Sequence, residues 1–151
     1  MLHLRAALLL VTALLHGCAL FPPSVTALRA ENHKSDRLCV DVPYAETVDR
    51  VGNYLRSCYK PRTARSAAFL PNNVVVPVKS DVLWRIEEAS LGQRTQFNVA
   101  LQHGYAASID IQPSSESCRT EIQVFVMNSF WEKLFDRVRR AATSEPADCT
   151  S

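Results

Sequence analysis

Residues 97–111 read Phe97-Asn98-Val99-Ala100-Leu101-Gln102-His103-Gly104-Tyr105-Ala106-Ala107-Ser108-Ile109-Asp110-Ile111. Phe97, Val99 and Leu101 alternate with Asn98 and Ala100, His103-Gly104 is a turn signal, and Tyr105, Ala107, Ile109 and Ile111 then alternate again. A period of two on both sides of a short turn predicts an antiparallel hairpin with one buried face. The same pattern extends outward. Trp84 and Ile86 continue an alternation begun at Val82, and Leu91-Gly92-Gln93 turns that strand into the hairpin. Beyond the polar loop Pro113–Ser117, Ile122, Val124 and Val126 form a last strand. Upstream, Ala67–Leu70 and Val74–Val78 flank the turn Pro71-Asn72-Asn73, and Leu38, Val40 and Val42 alternate in a first half-buried strand over 37–42.

Two segments carry helical spacing instead. In 45–58, Val48, Val51, Leu55 and Cys58 form an apolar stripe, and Lys60-Pro61 ends the helix. Gly52 beside that stripe permits close approach to a sheet. In 130–142, Trp131, Leu134, Phe135 and Val138 form the stripe. Ser129 and Glu132 make a capping-box pattern, and Arg137, Arg139 and Arg140 suit the negative end of the helix. The predicted architecture is α+β: an antiparallel sheet of about five or six strands with two helices on one face, in the order strand, helix, four or five strands, helix. This order resembles the helix-grip and TATA-binding-protein-like arrangement of small envelope lipoprotein domains, in topology only. Phe125 opposes Ile122, Val124 and Val126 in phase, so it is expected on the uncovered sheet face.

The N-terminus reads as an address. Arg5 precedes the ten-residue apolar run Ala6–Leu15, and Leu15-His16-Gly17-Cys18 follows. The run is too short to span a bilayer, and Phe21-Pro22-Pro23 argues against a continuing core helix. A positive start, a short apolar stretch and a small residue before the cut describe a secretory signal. Leu15, Gly17 and Cys18 resemble a bacterial lipobox, from which His16 departs. That resemblance implies that 1–17 is removed and that Cys18 becomes the acylated first residue. With Ala19 next, it further implies an anchor in the outer membrane, on its periplasmic side. A plain secreted protein is the alternative. Residues 18–36 are expected to be a lipid-anchored tether and 37–151 a single domain.

Four cysteines remain: Cys39, Cys58, Cys118 and Cys149. Export to an oxidising compartment favours disulfides over a metal site, and no CxxC occurs. Four cysteines allow three pairings. Cys58 with Cys149 is favoured, because one ends the first helix and the other follows the second. That leaves Cys39 with Cys118, which strand phase does not clearly support.

Catalytic signals are sparse. Of the histidines beyond the leader, His33 falls in the expected tether and His103 in a turn. Ser108 and Asp110 have residue types that suit a triad with His103, but they follow one another along a strand rather than converging. Glu87-Glu88 would diverge at a strand end. With four glycines in the chain there is no phosphate-cradling loop. Trp84, Phe97 and Tyr105 are the candidate lining of a ligand pocket between sheet and helices, with ordinary core as the rival reading.

The 17 basic and 15 acidic residues are interspersed and give a net charge of +2, so no basic face for nucleic acid is expected. The expectation is a non-enzymatic envelope lipoprotein, without cofactor or metal, that binds a protein partner or supports an envelope assembly. The alternative is a module binding a small apolar or lipid ligand. An enzyme would rest on His103 alone.

Overall fold

A computed structural model describes residues 21–31, 33–70, 74–114 and 118–149, with backbone alone for 64–70, 74–78 and 80. The leader 1–17, Cys18 and the turn Pro71-Asn72-Asn73 lie outside the described residues. The elements are α1 (Val25–Ala30), β1 (Leu38–Val40), α2 (Tyr44–Cys58), β2 (Arg62–Leu70), β3 (Val74–Val82), β4 (Trp84–Leu91), β5 (Arg94–Leu101), β6 (Gly104–Pro113), β7 (Thr120–Val126) and α3 (Lys133–Ala142). Five strands form one antiparallel sheet in the order β1-β7-β6-β5-β4, while among the described residues β2 and β3 pair only with each other. The α+β class and the antiparallel sheet agree with the sequence expectation.

One sheet face packs against α2 and α3. Phe97, Val99, Ile109, Ile111, Ile122, Val124 and Val126 are fully buried there, against Val51, Leu55, Leu134 and Val138. Each fully buried aliphatic side chain contributes about 1.5–3 kcal/mol of transfer free energy, so this layer dominates stability. Gly52 is what lets α2 sit close: a Cβ there would lie 3.0 Å from Phe97 Cζ. Cys58–Cys149, the pair the sequence favoured, is disulfide-bonded, and so is the remaining pair Cys39–Cys118, which strand phase alone did not clearly support. The first pins the C-terminal tail to the end of α2. The second joins β1 to the approach to β7, where Thr120 Oγ1 also donates to the Val42 carbonyl at 2.7 Å.

The segment expected to be a loose tether is part of the fold from Phe21 onward. Ser24 caps α1 by accepting from the Ala27 amide, and Leu28 is 1% exposed. The backbone is tied to the sheet by hydrogen bonds from the Tyr105 amide to the Pro22 carbonyl, the Val126 amide to His33 and the Ser35 amide to Val124. Gly104 makes this entry possible, since a Cβ would stand 2.5 Å from that of Phe21. A six-residue helix has too short a period to read from sequence. Its stability comes from docking, not propensity.

α1 therefore covers the face expected to be bare. Arg29 donates to Ser108 Oγ at 3.2 Å and Asp110 Oδ1 at 2.6 Å, and its guanidinium lies 4.6 Å from the centre of the Phe125 ring. Phe125 is on that face, as its phase indicated, but beneath a cation instead of open to solvent. Gln96, Asn98, Ser108 and Asp110 are buried, and Gln96 donates to Asn98 Oδ1 at 2.8 Å. The polar half of the alternation thus faces a second, polar layer.

The second helix begins differently from its capping-box reading. Asn128, not Ser129, accepts from the Phe130 amide, Ser129–Trp131 form a 3-10 turn, and α3 starts only at Lys133. Glu132 does not reach back as a cap; its carboxylate meets His33 Nδ1 at 3.3 Å.

Candidate functional site

Three aromatic rings from separate parts of the chain meet where α2 ends. Tyr59 follows the last turn of α2, Trp84 opens β4 and Trp131 closes the 3-10 turn. Their centroids are 5.4 Å (Tyr59–Trp84), 5.7 Å (Trp84–Trp131) and 6.2 Å (Tyr59–Trp131) apart, two edge contacts and one stack. Such pairs add about 0.5–1.5 kcal/mol each beyond area burial. The rings form one side of an open cleft of about 160 Å³ whose remaining wall includes Tyr54, Leu134 and the Cys58–Cys149 bridge.

Phe130 stands at the mouth with 81% of its surface exposed, against 49% for Leu83 and 46% for Leu91, the other exposed large apolar residues described. Arg62, Lys133 and Arg137 line the same cleft. Asp148 is the acid that acts on Tyr54 from nearby. Burial raises the pKa of Tyr54, with Arg137 and Arg140 acting against it. Burial raises Tyr59 far more, and Tyr54 beside it adds to the effect. Both phenols therefore stay neutral and offer hydroxyl donors inside an apolar wall.

The three residues predicted to line one pocket do not meet. Trp84 lines the cleft. Phe97 is wholly buried in the core, so the space between sheet and helices at that point is filled. Tyr105 is on the opposite sheet face, its hydroxyl donating to Glu87 Oε2 at 3.1 Å. A bulge accounts for this: Val99 pairs with Ala107 but Ala100 pairs with Tyr105, so β6 holds an extra residue and the phase reverses. Sequence reading placed Trp131 in the helix stripe and singled out neither Tyr59 nor Phe130. The signal that could have found Phe130 was the Asn128 cap, which shifts the helix start and turns Phe130 outward.

The triad residue types are not assembled either. Ser108 and Asp110 are bridged by Arg29, and Arg94 holds the other Asp110 oxygen at 3.3 Å. Among the described residues, no group of three or more His, Cys, Asp or Glu stands close enough to hold a metal ion. No helix among them is long and apolar enough to cross a membrane. Cys18 lies outside them, so its acylation is not addressed by the geometry. Compared with protein-family models, curated proteins and solved structures, the chain matches none.

Proposed function

We propose that this chain is a membrane-tethered, non-enzymatic binding protein that captures a protein partner through the aromatic cleft. The observation that carries the reading is Phe130, a large apolar side chain 81% exposed beside three clustered rings. Leaving it in water costs free energy that a partner's contact would recover, and aromatic anchors dominate protein interfaces. The cleft volume of about 160 Å³ is close to that of a cavity that takes one small ring, and well below that of a pocket for a lipid or cofactor. It suits one apolar anchor side chain of a partner. Arg62 and Lys133, neither paired among the described residues, favour a partner that carries carboxylates beside that anchor.

The tether rests on Leu15-Gly17-Cys18 and the apolar run before it. It implies the periplasmic side of the outer membrane as the place of action. Pull-down from native membranes tests the reading. The wild-type chain should retain a defined protein that Phe130→Asp and Trp131→Ala lose while both disulfides stay intact. Retention by all three chains would refute it.

A further inference from the structure

We propose that the β2–β3 hairpin is a membrane-contacting arm that settles into the interface of an anionic bilayer. The inference rests on the tether reading for how the chain reaches that bilayer.

The hairpin is a continuous nine-pair ladder from Arg62↔Val82 to Leu70↔Val74, and neither strand pairs with the five-stranded sheet. An isolated two-stranded ribbon is marginal in water, so one this long calls for a surface to lie on. Its residues are divided along its length. Ser66–Leu70 and Val74–Val78 contain no charge: Ser66, Ala67, Ala68, Phe69 and Leu70 pair in turn with Val78, Pro77, Val76, Val75 and Val74 across the ladder. The root carries Lys60, Arg62, Arg65 and Lys79. Asp81 is its single acid and accepts from Thr63 Oγ1 at 3.0 Å. An uncharged end behind a cationic collar is the pattern that anionic headgroups attract.

The place where the chain enters the fold makes the membrane the occupant. Phe21 and Pro22 sit against Gly104 and Tyr105. The adjoining turn residue Gln102 donates through Nε2 to the Asp81 carbonyl at 3.4 Å, at the hairpin root. The N-terminal chain and the hairpin thus leave the domain at the same end. Cys18 precedes Phe21 by three residues, at most about 10 Å of extended chain. An acylated Cys18 would hold this end on the bilayer, without the long tether the sequence suggested. The uncharged part spans four residue steps, about 13 Å, which is the depth of one leaflet's interface region and upper chains. Among the described residues no third strand pairs with the outer edges of β2 and β3, so the arm stays where water and phosphates reach the backbone groups there. Pairing of the arm with a second copy is opposed by the like charges of the two collars.

Depth-dependent fluorescence quenching of the full chain in vesicles tests this. Phe69→Trp is compared with the wild-type chain, whose Trp84 and Trp131 give the background, in phosphatidylcholine vesicles containing the anionic lipid phosphatidylglycerol and in vesicles of phosphatidylcholine alone. Brominated lipids should quench the new tryptophan well above background in the anionic vesicles, and Arg65→Gln/Lys79→Gln should reduce that excess several-fold. Quenching no greater than background, with the protein co-sedimenting and its disulfides intact, would overturn the arm. So would a hairpin-dependent dimer that forms equally without lipid. Failure to co-sediment with either vesicle would instead overturn the anchor on which the proposal depends.

Discussion

Replacing Leu28 by Ala tests whether the segment before β1 is structure or tether. Leu28 is the buried side chain of α1 and is 1% exposed, outside the cluster formed by α2, α3 and the sheet. Truncating a buried leucine removes its transfer free energy and leaves a cavity, at a cost of about 2–5 kcal/mol. The short α1 can settle into part of the space, which places this site near 2–3 kcal/mol. For a domain of this size each kcal/mol lowers Tm by about 4 °C, so the melt should fall by about 8–12 °C. Thr26→Ala, at an exposed position of the same helix, should stay within about 0.5 kcal/mol of wild type. Thermal melts followed by circular dichroism give the first reading. Hydrogen exchange gives the second, because the amides of Ser35 and Val126 bond to Val124 and His33 and should lose protection as α1 loosens. Unchanged Tm together with unchanged protection at both amides would refute the docking of α1.

Intact mass of the membrane-extracted protein should exceed that of the chain from Cys18 onward by its acyl groups, and Cys18→Ser should abolish processing and membrane association. Cys58→Ser/Cys149→Ser should cost about 2–4 kcal/mol, because the bridge closes a loop across 91 residues, and chemical denaturation measures it. Arg29→Met leaves Asp110 with Arg94 alone and should destabilise by about 1.5–3 kcal/mol, the range for hydrogen bonds to charged groups, in the same assay. Burial raises Tyr54 and Tyr59 above the ordinary value of 10.0, so their neutral forms contribute stability that is complete below pH 10.0 and is lost as pH rises toward their folded values. Absorbance titration should show these two phenols ionising late, together with alkaline unfolding, and Tyr59→Phe should remove part of that alkaline loss.

The sheet was legible because its strands keep strict alternation: Phe97, Val99, Ile109, Ile111, Ile122 and Val124 all face the helices as their phase requires. The long helix was legible for the same reason, and Gly52 marked its close approach. What defeated sequence reading was local. A single extra residue in β6 reversed Tyr105, and nothing in Tyr105-Ala106-Ala107 announces a bulge. One residue of difference in the cap, Asn128 for Ser129, turned Phe130 outward and Trp131 into a cleft wall. Alternation also could not show that β2 and β3 leave the main sheet, because pairing within a hairpin looks the same wherever the hairpin points. The cleft gathers Tyr59, Trp84 and Trp131 from three distant segments, and no spacing rule links them. The burial of Ser108 and Asp110 was not legible, because the helix that covers them is too brief to leave a period.

Docking of a partner protein at the aromatic cleft can be read out by site-specific photo-crosslinking in native membranes. A photoreactive phenylalanine analogue is placed at Phe130 in one chain and at Leu91 in another. Leu91 is also exposed, but lies seven residues along β4 from Trp84, about 23 Å away. A defined protein adduct is expected from position 130, absent from position 91 and competed away by excess unlabelled wild-type chain but not by Trp131→Ala. The same adducts from both positions, or none from position 130, would contradict it.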